Sequence, residues 1–239
     1  MSLTFSTFVT SIANMLPVAV SDAGFQTVIP NIIDDAEQRL YKELDLFWTN
    51  TRDHSGAMTA GVRTYNIPQP STGYFVVVTE VNAITPAGTS DPELGTRNQL
   101  LPTSNEMLNV LWPNVSGSTV PTYFSMLNPD SIIVGPWPDA AYQIEVVGEI
   151  RPNALSSTNT TTILSVYFPD LLMAAGMVYA AGYQKNFGAM VDDPKAAMSW
   201  ETHLQSLIRV TDLEESRKVF QAEGWSSQQP SKIVTPPRT

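Results

Sequence analysis

The sequence predicts an α+β protein: an antiparallel helical bundle with a β-rich insert, an antiparallel meander or sandwich, and an extended C-terminal tail. Three observations predict this class, namely helical periodicity on both sides of the insert, alternating and turn-rich sequence within it, and a proline-bearing end without an apolar period. Because both helical segments present an apolar face, packing them as one bundle is the economical arrangement. The predicted domains are 1–48 with 165–220, then 49–164, then 221–239.

Apolar spacing predicts two helices before residue 48. The first is short, and a loop through Ser21 and Gly24 follows it. The second begins at Pro30, because proline at the first helical position loses no intrahelical hydrogen bond. Its opposite face is charged and includes Arg39 and Lys42. The apolar positions of the two helices are Phe5, Phe8, Ile12 and Leu16, then Ile33, Ala36, Leu40, Leu44 and Phe47.

Alternation predicts antiparallel strands between the helical segments. The clearest strand is 142–151, and we expect it to be half-buried. One face carries Tyr142, Ile144, Val146, Gly148 and Ile150, and the other carries Gln143, Glu145, Val147, Glu149 and Arg151. Segments 122–127 and 131–134 precede it across turn sequences, which predicts a three-stranded meander. Segments 64–67 and 74–84 predict two further strands.

Helical periodicity returns near Tyr167. Pro169 suits a first helical position, and the alanine-rich run 171–183 predicts a buried central helix. Asp193 as N-cap and Pro194 as first residue predict a second, antiparallel helix. Its apolar positions are Ala197, Trp200, Leu204, Leu207 and Ile208. From residue 221 onward the chain has three prolines and no apolar period, which predicts a flexible or partner-ordered tail.

Three phrases of the sequence carry a family resemblance. They are isoleucine-proline followed by AEQRLYKEL within residues 29–44, IIVGPWPD at 132–139, and YFPDLLMAA at 167–175. These phrases resemble tailed-bacteriophage head-to-tail adaptor (connector) proteins over about residues 3–210. The resemblance implies a homo-oligomeric ring of about twelve subunits beneath the portal protein, closed by heterologous contacts. It also implies a downstream tail or nozzle protein, a DNA channel, and a place in the virion neck after assembly in the host bacterial cytoplasm.

Composition limits the function classes. Only 15% of the residues are charged, against about 25% in typical soluble domains, so we expect neighbouring subunits to cover much of the surface. The net charge of −10 predicts that DNA passes without specific binding, since nucleic-acid affinity depends on Lys and Arg. The N-terminus predicts no secretory signal, and residues 171–183 are too few to cross a bilayer. With no cysteine, disulfides and thiolate sites are excluded.

No enzyme motif in the sequence is accompanied by the other residues that its chemistry requires. Residues 56–61 have the glycine spacing of a phosphate loop, but Val62 and Arg63 replace the required Lys and Ser/Thr, so we predict a flexible turn. His54 and His203 lie in different regions. The adjacent carboxylate pairs do not converge on one substrate. We therefore predict no catalytic residue, no cofactor and no metal. Four tryptophans are predicted in core, turn or helix contacts: Trp48, Trp112, Trp137 and Trp200.

The predicted function is a structural, non-enzymatic adaptor that connects capsid to tail and lines the DNA channel. Docking to the portal or to a neighbouring subunit is predicted at Arg39 and Lys42, and at a second set in the tail. That set is Trp225, Lys232, Ile233, Val234 and Arg238, with Trp225 as an aromatic anchor. Two alternatives stay open: another phage tail-completion or baseplate protein, and a cell-wall-binding or cell-wall-degrading module.

Overall fold

The computed structural model describes residues 3–183 and 194–222, and within them the predicted α+β class is confirmed. The described part holds six α-helices and eight β-strands. The helices are α1 (Phe5–Met15), α2 (Ala23–Glu43), α3 (Asn105–Leu111), α4 (Ile163–Tyr167), α5 (Pro169–Tyr183) and α6 (Pro194–Ala222). The strands are β1 (Asn50–Ala57), β2 (Thr64–Asn66), β3 (Gly73–Thr85), β4 (Thr96–Gln99), β5 (Leu101–Pro102), β6 (Tyr123–Asn128), β7 (Ser131–Gly135) and β8 (Gln143–Pro152).

The chain divides into two compact units. The β unit comprises the described part of Met1–Ser11 together with Trp48–Pro169, and it contains the eight strands, α3 and α4. The helical unit comprises Ile12–Phe47 and the described part of Asp170–Thr239, and it contains α2, α5 and α6. The three-part domain division stays a prediction.

The strands of the β unit form two four-stranded sheets, ordered β1-β8-β3-β4 and β2-β7-β6-β5. The predicted three-stranded meander is wrong, because β8 leaves the β6–β7 hairpin and pairs with β1 and β3 in the other sheet. The reason is a shared core. Ile132 and Val134 of β7 belong to the same buried cluster as Ile144 and Val146 of β8. Crossing to the opposite sheet buries both strands' apolar faces against one another.

Edge strands of low apolar content escaped the sequence analysis. Strand β1 has the sequence NTRDHSGA, without apolar alternation, and it pairs with β8 along one side. The predicted flexible turn at residues 56–61 is wrong in part, since Gly56 and Ala57 belong to β1. The Met58 amide then donates to the Tyr142 carbonyl at 2.7 Å, and the Gly61 amide donates to the Pro138 carbonyl at 2.8 Å. The conformation of this segment is therefore determined by backbone hydrogen bonds rather than by a side-chain pattern.

Helix α2 starts seven residues before the predicted position and includes Gly24, which was predicted in a loop. Asp22 caps it, with its Oδ1 accepting from the Phe25 amide at 2.9 Å. Phe25 and Ile29 are buried and extend the apolar stripe upstream, so their packing offsets the hydrogen bond that Pro30 cannot make inside the helix. The helix ends at Glu43, and Phe47, predicted on its apolar face, is 40% exposed.

The predicted buried helix is confirmed as α5, in which Leu171, Leu172, Ala174 and Ala175 are buried. Pro194 begins α6 as predicted, and Leu204 and Ile208 lie on its buried face. The predicted N-cap Asp193 lies outside the described residues. Of the predicted tail 221–239, Gln221 and Ala222 belong to α6 and residues 223–239 lie outside the described residues. In the part of the chain that the structure describes, no helix combines the length and the hydrophobicity needed to cross a membrane.

Candidate functional site

Arg39, predicted to dock a partner, is held within the helical unit. Its Nη1 and Nη2 atoms donate to the two carboxylate oxygens of Glu201 on α6, at 2.8 and 2.5 Å, and its Nε donates to Glu43 at 2.7 Å. The hydrogen bond with Glu201 raises the pKa of Arg39, while burial opposes that rise. The same pairing lowers the pKa of Glu201. Arg39 therefore joins α2 to α6 (bidentate geometry).

The other predicted docking residues are placed differently. Lys42 lies one turn from Arg39 on α2 and is exposed. The tail residues lie outside the described residues; they are Trp225, Lys232, Ile233, Val234 and Arg238. Of the predicted docking residues that the structure describes, Arg39 and Lys42 lie together on α2; Lys42 is exposed and Arg39 is half-buried.

The β unit carries an exposed apolar helix face that the sequence analysis missed. Met107, Val110 and Leu111 of α3 are 52%, 78% and 49% exposed, and their spacing puts them on one side of the helix. We call these three residues the α3 apolar face. Ser104 caps the helix through the Met107 amide at 3.2 Å. The sequence does contain a signal for this helix, namely a serine at the N-cap position followed by apolar residues at helical spacing.

The opposite side of α3 is fixed to the β unit. Leu108 is fully buried. A Cβ added to Gly135 of β7 would lie 2.7 Å from a Trp112 ring carbon and 2.8 Å from Leu108, so only glycine admits this packing. The Arg63 Nη1 donates to Asn109 Oδ1 at 3.1 Å. The α3 apolar face is therefore presented by a rigid support.

Helix α6 exposes a second apolar pair in the helical unit. Val210 and Leu213 are 64% and 61% exposed and lie three residues apart, whereas Leu204 and Ile208 are buried. We call Val210 and Leu213 the α6 apolar pair. The loop before β1 is tied to the same helix, because the buried Glu215 accepts from the Phe47 amide at 3.0 Å and from Lys218 Nζ at 2.6 Å.

A buried carboxylate lies on the face of β8 opposite the predicted apolar face. Glu145 is fully buried, and its two oxygens accept from Arg97 Nε at 3.0 and 3.2 Å. Asn82 donates at 3.2 Å, and Arg52 Nη1 lies 3.7 Å away. Burial acts to raise the pKa of Glu145, but these partners outweigh it and the pKa lies below its ordinary value. The carboxylate therefore joins the strands of this sheet.

A groove of about 480 Å³ opens in the β unit beside two aromatic rings. Trp48 and Tyr167 stack with ring centroids 4.2 Å apart and an interplanar angle of 15°. Trp48 is 42% exposed and lies in the short helical turn Phe47–Thr49 before β1, where its ring contacts Tyr167 of α4. We call this cavity the Trp48 groove. The residues that line it are Trp48, Asn50, Thr51, Ser71, Thr72, Ile150, Pro152, Asn153, Asn159, Thr161, Thr162, Ile163, Val166 and Tyr167.

The two histidines lie apart, His54 on β1 in the β unit and His203 on α6 in the helical unit. Among residues 3–183 and 194–222, no three His, Asp or Glu side chains are grouped so that they could hold a metal ion. The polar contacts described above are ion pairs and caps within the subunit.

A comparison with models of known protein families identifies the family of this chain. The model described as SU10 adaptor protein matches residues 3–226. This chain belongs to the SU10 adaptor family. The resemblance to phage head-to-tail adaptors, first seen in three phrases of the sequence, is confirmed over nearly the whole chain. A search of curated proteins found no match.

Membership of the SU10 adaptor family bears on the exposed surfaces described above. An adaptor is a structural protein that associates with other components of a phage virion. The matched region includes α2, both sheets, the α3 apolar face and the whole of α6, and it ends one residue after Trp225.

Proposed function

We propose that this adaptor forms a ring, a dodecamer, beneath the portal protein of a phage virion. The ring connects the capsid to a downstream tail or nozzle protein and lines the channel through which DNA leaves. The observation that carries the proposal is the α3 apolar face, which is 49–78% exposed in a chain with only 15% charged residues. Exposed apolar groups of this kind mark surfaces that a protein partner covers.

Ring closure requires two different surfaces on each subunit, since a heterologous contact joins unlike patches. The adaptor offers one such surface in each unit, the α3 apolar face and the α6 apolar pair. Each lies on a helix whose other side is buried. We assign both to contacts between neighbouring subunits.

Docking to the portal or to a neighbouring subunit is assigned to α2 and to the tail. Lys42 supplies an exposed charge there, and Arg39 lies beside it with its guanidinium bound to Glu201 and Glu43. The tail residues Trp225, Lys232, Ile233, Val234 and Arg238 complete this proposed contact. Its location in the virion is the neck.

The channel and the absence of catalysis belong to the same proposal. A net charge of −10 repels duplex DNA, so DNA passes without specific binding. The buried carboxylates Glu145 and Glu215 are bound by Arg97 and Lys218, and a general acid would need a carboxyl whose proton is free to move. In this proposal the adaptor acts as a connector rather than as an enzyme.

The test is assembly with and without portal protein, measured by native mass spectrometry. The wild-type adaptor should form a closed ring on portal, and Val110→Asp should reduce ring formation because it places a charge in the α3 apolar face. Ser118→Asp, at an exposed position outside α3, is the matched control and should assemble normally. A stable monomer that portal does not recruit, or one that cleaves peptidoglycan, would reject the proposal.

A further inference from the structure

The Trp48 groove contains polar groups that bind nothing else among residues 3–183 and 194–222. Within that part of the chain, the Trp48 indole N–H and the Tyr167 hydroxyl make no hydrogen bond, and neither do the hydroxyls of Thr51 and Thr161. Each of these groups lines the cavity. Polar groups that line a preformed cavity without a partner from the protein are available to a ligand.

The wall of the groove is built by asparagines. Asn159 Nδ2 donates to the carbonyls of Asn153 and Ala154 at 2.8 and 3.0 Å, and Asn153 Nδ2 donates to the Ser71 carbonyl at 2.9 Å. These bonds use the amide nitrogens and leave the two side-chain oxygens without a donor in the described part of the chain. The groove therefore combines fixed acceptors, free hydroxyls and a stacked aromatic pair.

The chemistry of the lining limits the ligand. None of the described residues that line the groove carries a charge, so phosphate, carboxylate and metal ligands would find no counter-charge there. An uncharged segment of polypeptide fits better, because its backbone both donates and accepts hydrogen bonds. Aromatic-lined grooves commonly take segments that contain proline.

This chain carries such a segment in its own sequence. Residues 224–231, GWSSQQPS, form a run without charge that contains Pro230 and lies between Glu223 and Lys232. We propose that the Trp48 groove of one copy binds the 224–231 segment of a second copy, with Pro230 against the Trp48–Tyr167 pair. The proposal rests on the proposed ring, because it requires neighbouring copies of the chain.

Symmetry supports a second copy as the donor. The segment follows directly after α6, which ends at Ala222. Eight residues in an extended polyproline-like conformation span about 25 Å, a distance comparable to the diameter of a small domain. One chain then both donates a segment and receives one, which is the pair of unlike surfaces that a heterologous contact needs.

Binding can be measured directly with a fluorescein-labelled peptide of residues 222–233 and the chain truncated after Ala222. Fluorescence polarisation should show saturable binding. We expect Trp48→Ala and Thr161→Asp to weaken it by about tenfold or more, since one removes the aromatic platform and the other charges a neutral groove. Tyr74→Ala, which removes a 48% exposed aromatic residue that does not line the groove, is the control. A Pro230→Ala peptide should also bind more weakly.

Mixing two defective chains tests exchange between copies. The Trp48→Ala chain keeps the segment but lacks the platform, and the truncated chain keeps the groove but lacks the segment. In sedimentation at matched concentration, the mixture should form a one-to-one complex that neither chain forms alone. The proposal would be overturned if the peptide did not bind, or if the Trp48→Ala chain bound it as well as the wild-type groove does. It would also be overturned if the full-length chain stayed monomeric and did not bind the peptide, because its own segment would then occupy its groove. If the truncated chain still forms rings on portal, this inference fails and the tail leaves the proposed docking contact, while the proposed ring and connector role stand.

Discussion

Arg39 and Glu201 form a two-bond ion pair that joins α2 to α6, with paired nitrogen and oxygen atoms 2.8 and 2.5 Å apart. The planar guanidinium matches the carboxylate in a way that a lysine cannot. Glu201 also accepts from Gln205 at 3.1 Å, which fixes the carboxylate on its own helix. A residue predicted for docking therefore has a structural role inside the subunit as well.

Replacing Arg39 by Lys should destabilise the helical unit by about 1 kcal/mol, because the two-bond geometry is lost while the charge remains. Glu201 is more than one-third exposed, so solvent screening keeps the effect small. Urea unfolding followed by circular dichroism measures it. Lys42→Arg, on the exposed part of the same helix, should leave the unfolding midpoint unchanged. Equal midpoints for Arg39→Lys and wild type would contradict a structural role for the pair.

The ion-paired Glu145 predicts acid sensitivity. Its pKa is lower in the folded chain than the ordinary value of about 4.3 for an unfolded glutamate. A lowered folded pKa adds stability above the unfolded pKa, and that stability is lost as the pH falls through the folded value. Between pH 6 and pH 3 the melting temperature should therefore fall less steeply for Glu145→Gln than for wild type. Glu80→Gln, at an exposed position on β3, should keep the wild-type slope.

The sequence predicted the elements whose patterns report burial directly. In β8 the alternation placed Ile144, Val146 and Ile150 in the core, where they are found. Glu145 was misassigned because its partners Arg97 and Asn82 are brought to it by sheet pairing, and no local pattern encodes that pairing. The same reason hid β1, whose polar sequence is made a strand by its hydrogen bonds to β8.

Candidate sites were harder to predict than elements. Arg39 and Lys42 were chosen as charges on a helix face, and sequence could not reveal that Glu201, from a helix far along the chain, binds Arg39. The Trp48 groove was missed because Trp48 and Tyr167 lie more than a hundred residues apart and meet only in the folded β unit. Surfaces built from distant segments depend on tertiary structure.

Pro30 offers a test of the early start of α2. It lies within the helix and is exposed, so alanine there can restore a backbone hydrogen bond without displacing any packed group. Pro30→Ala should stabilise the chain by about 1–3 kcal/mol. Asn31→Ala, at the next exposed position, should change stability far less. Chemical denaturation decides between them, and a less stable Pro30→Ala would indicate that the proline, rather than the Asp22 cap, defines the helix start.

Helix α5 predicts a contrast between two alanines. Ala175 is fully buried, whereas Ala181 is only partly buried near the end of the same helix. Leucine at Ala175 should overpack the interior and cost about 1–3 kcal/mol, because close-packed neighbours cannot make room for the added carbons. Ala181→Leu should cost less, since part of its side chain faces solvent. Differential scanning calorimetry of both variants measures this order. Wild-type melting temperatures for both would mean that α5 tolerates larger side chains and is not the packed centre of the helical unit.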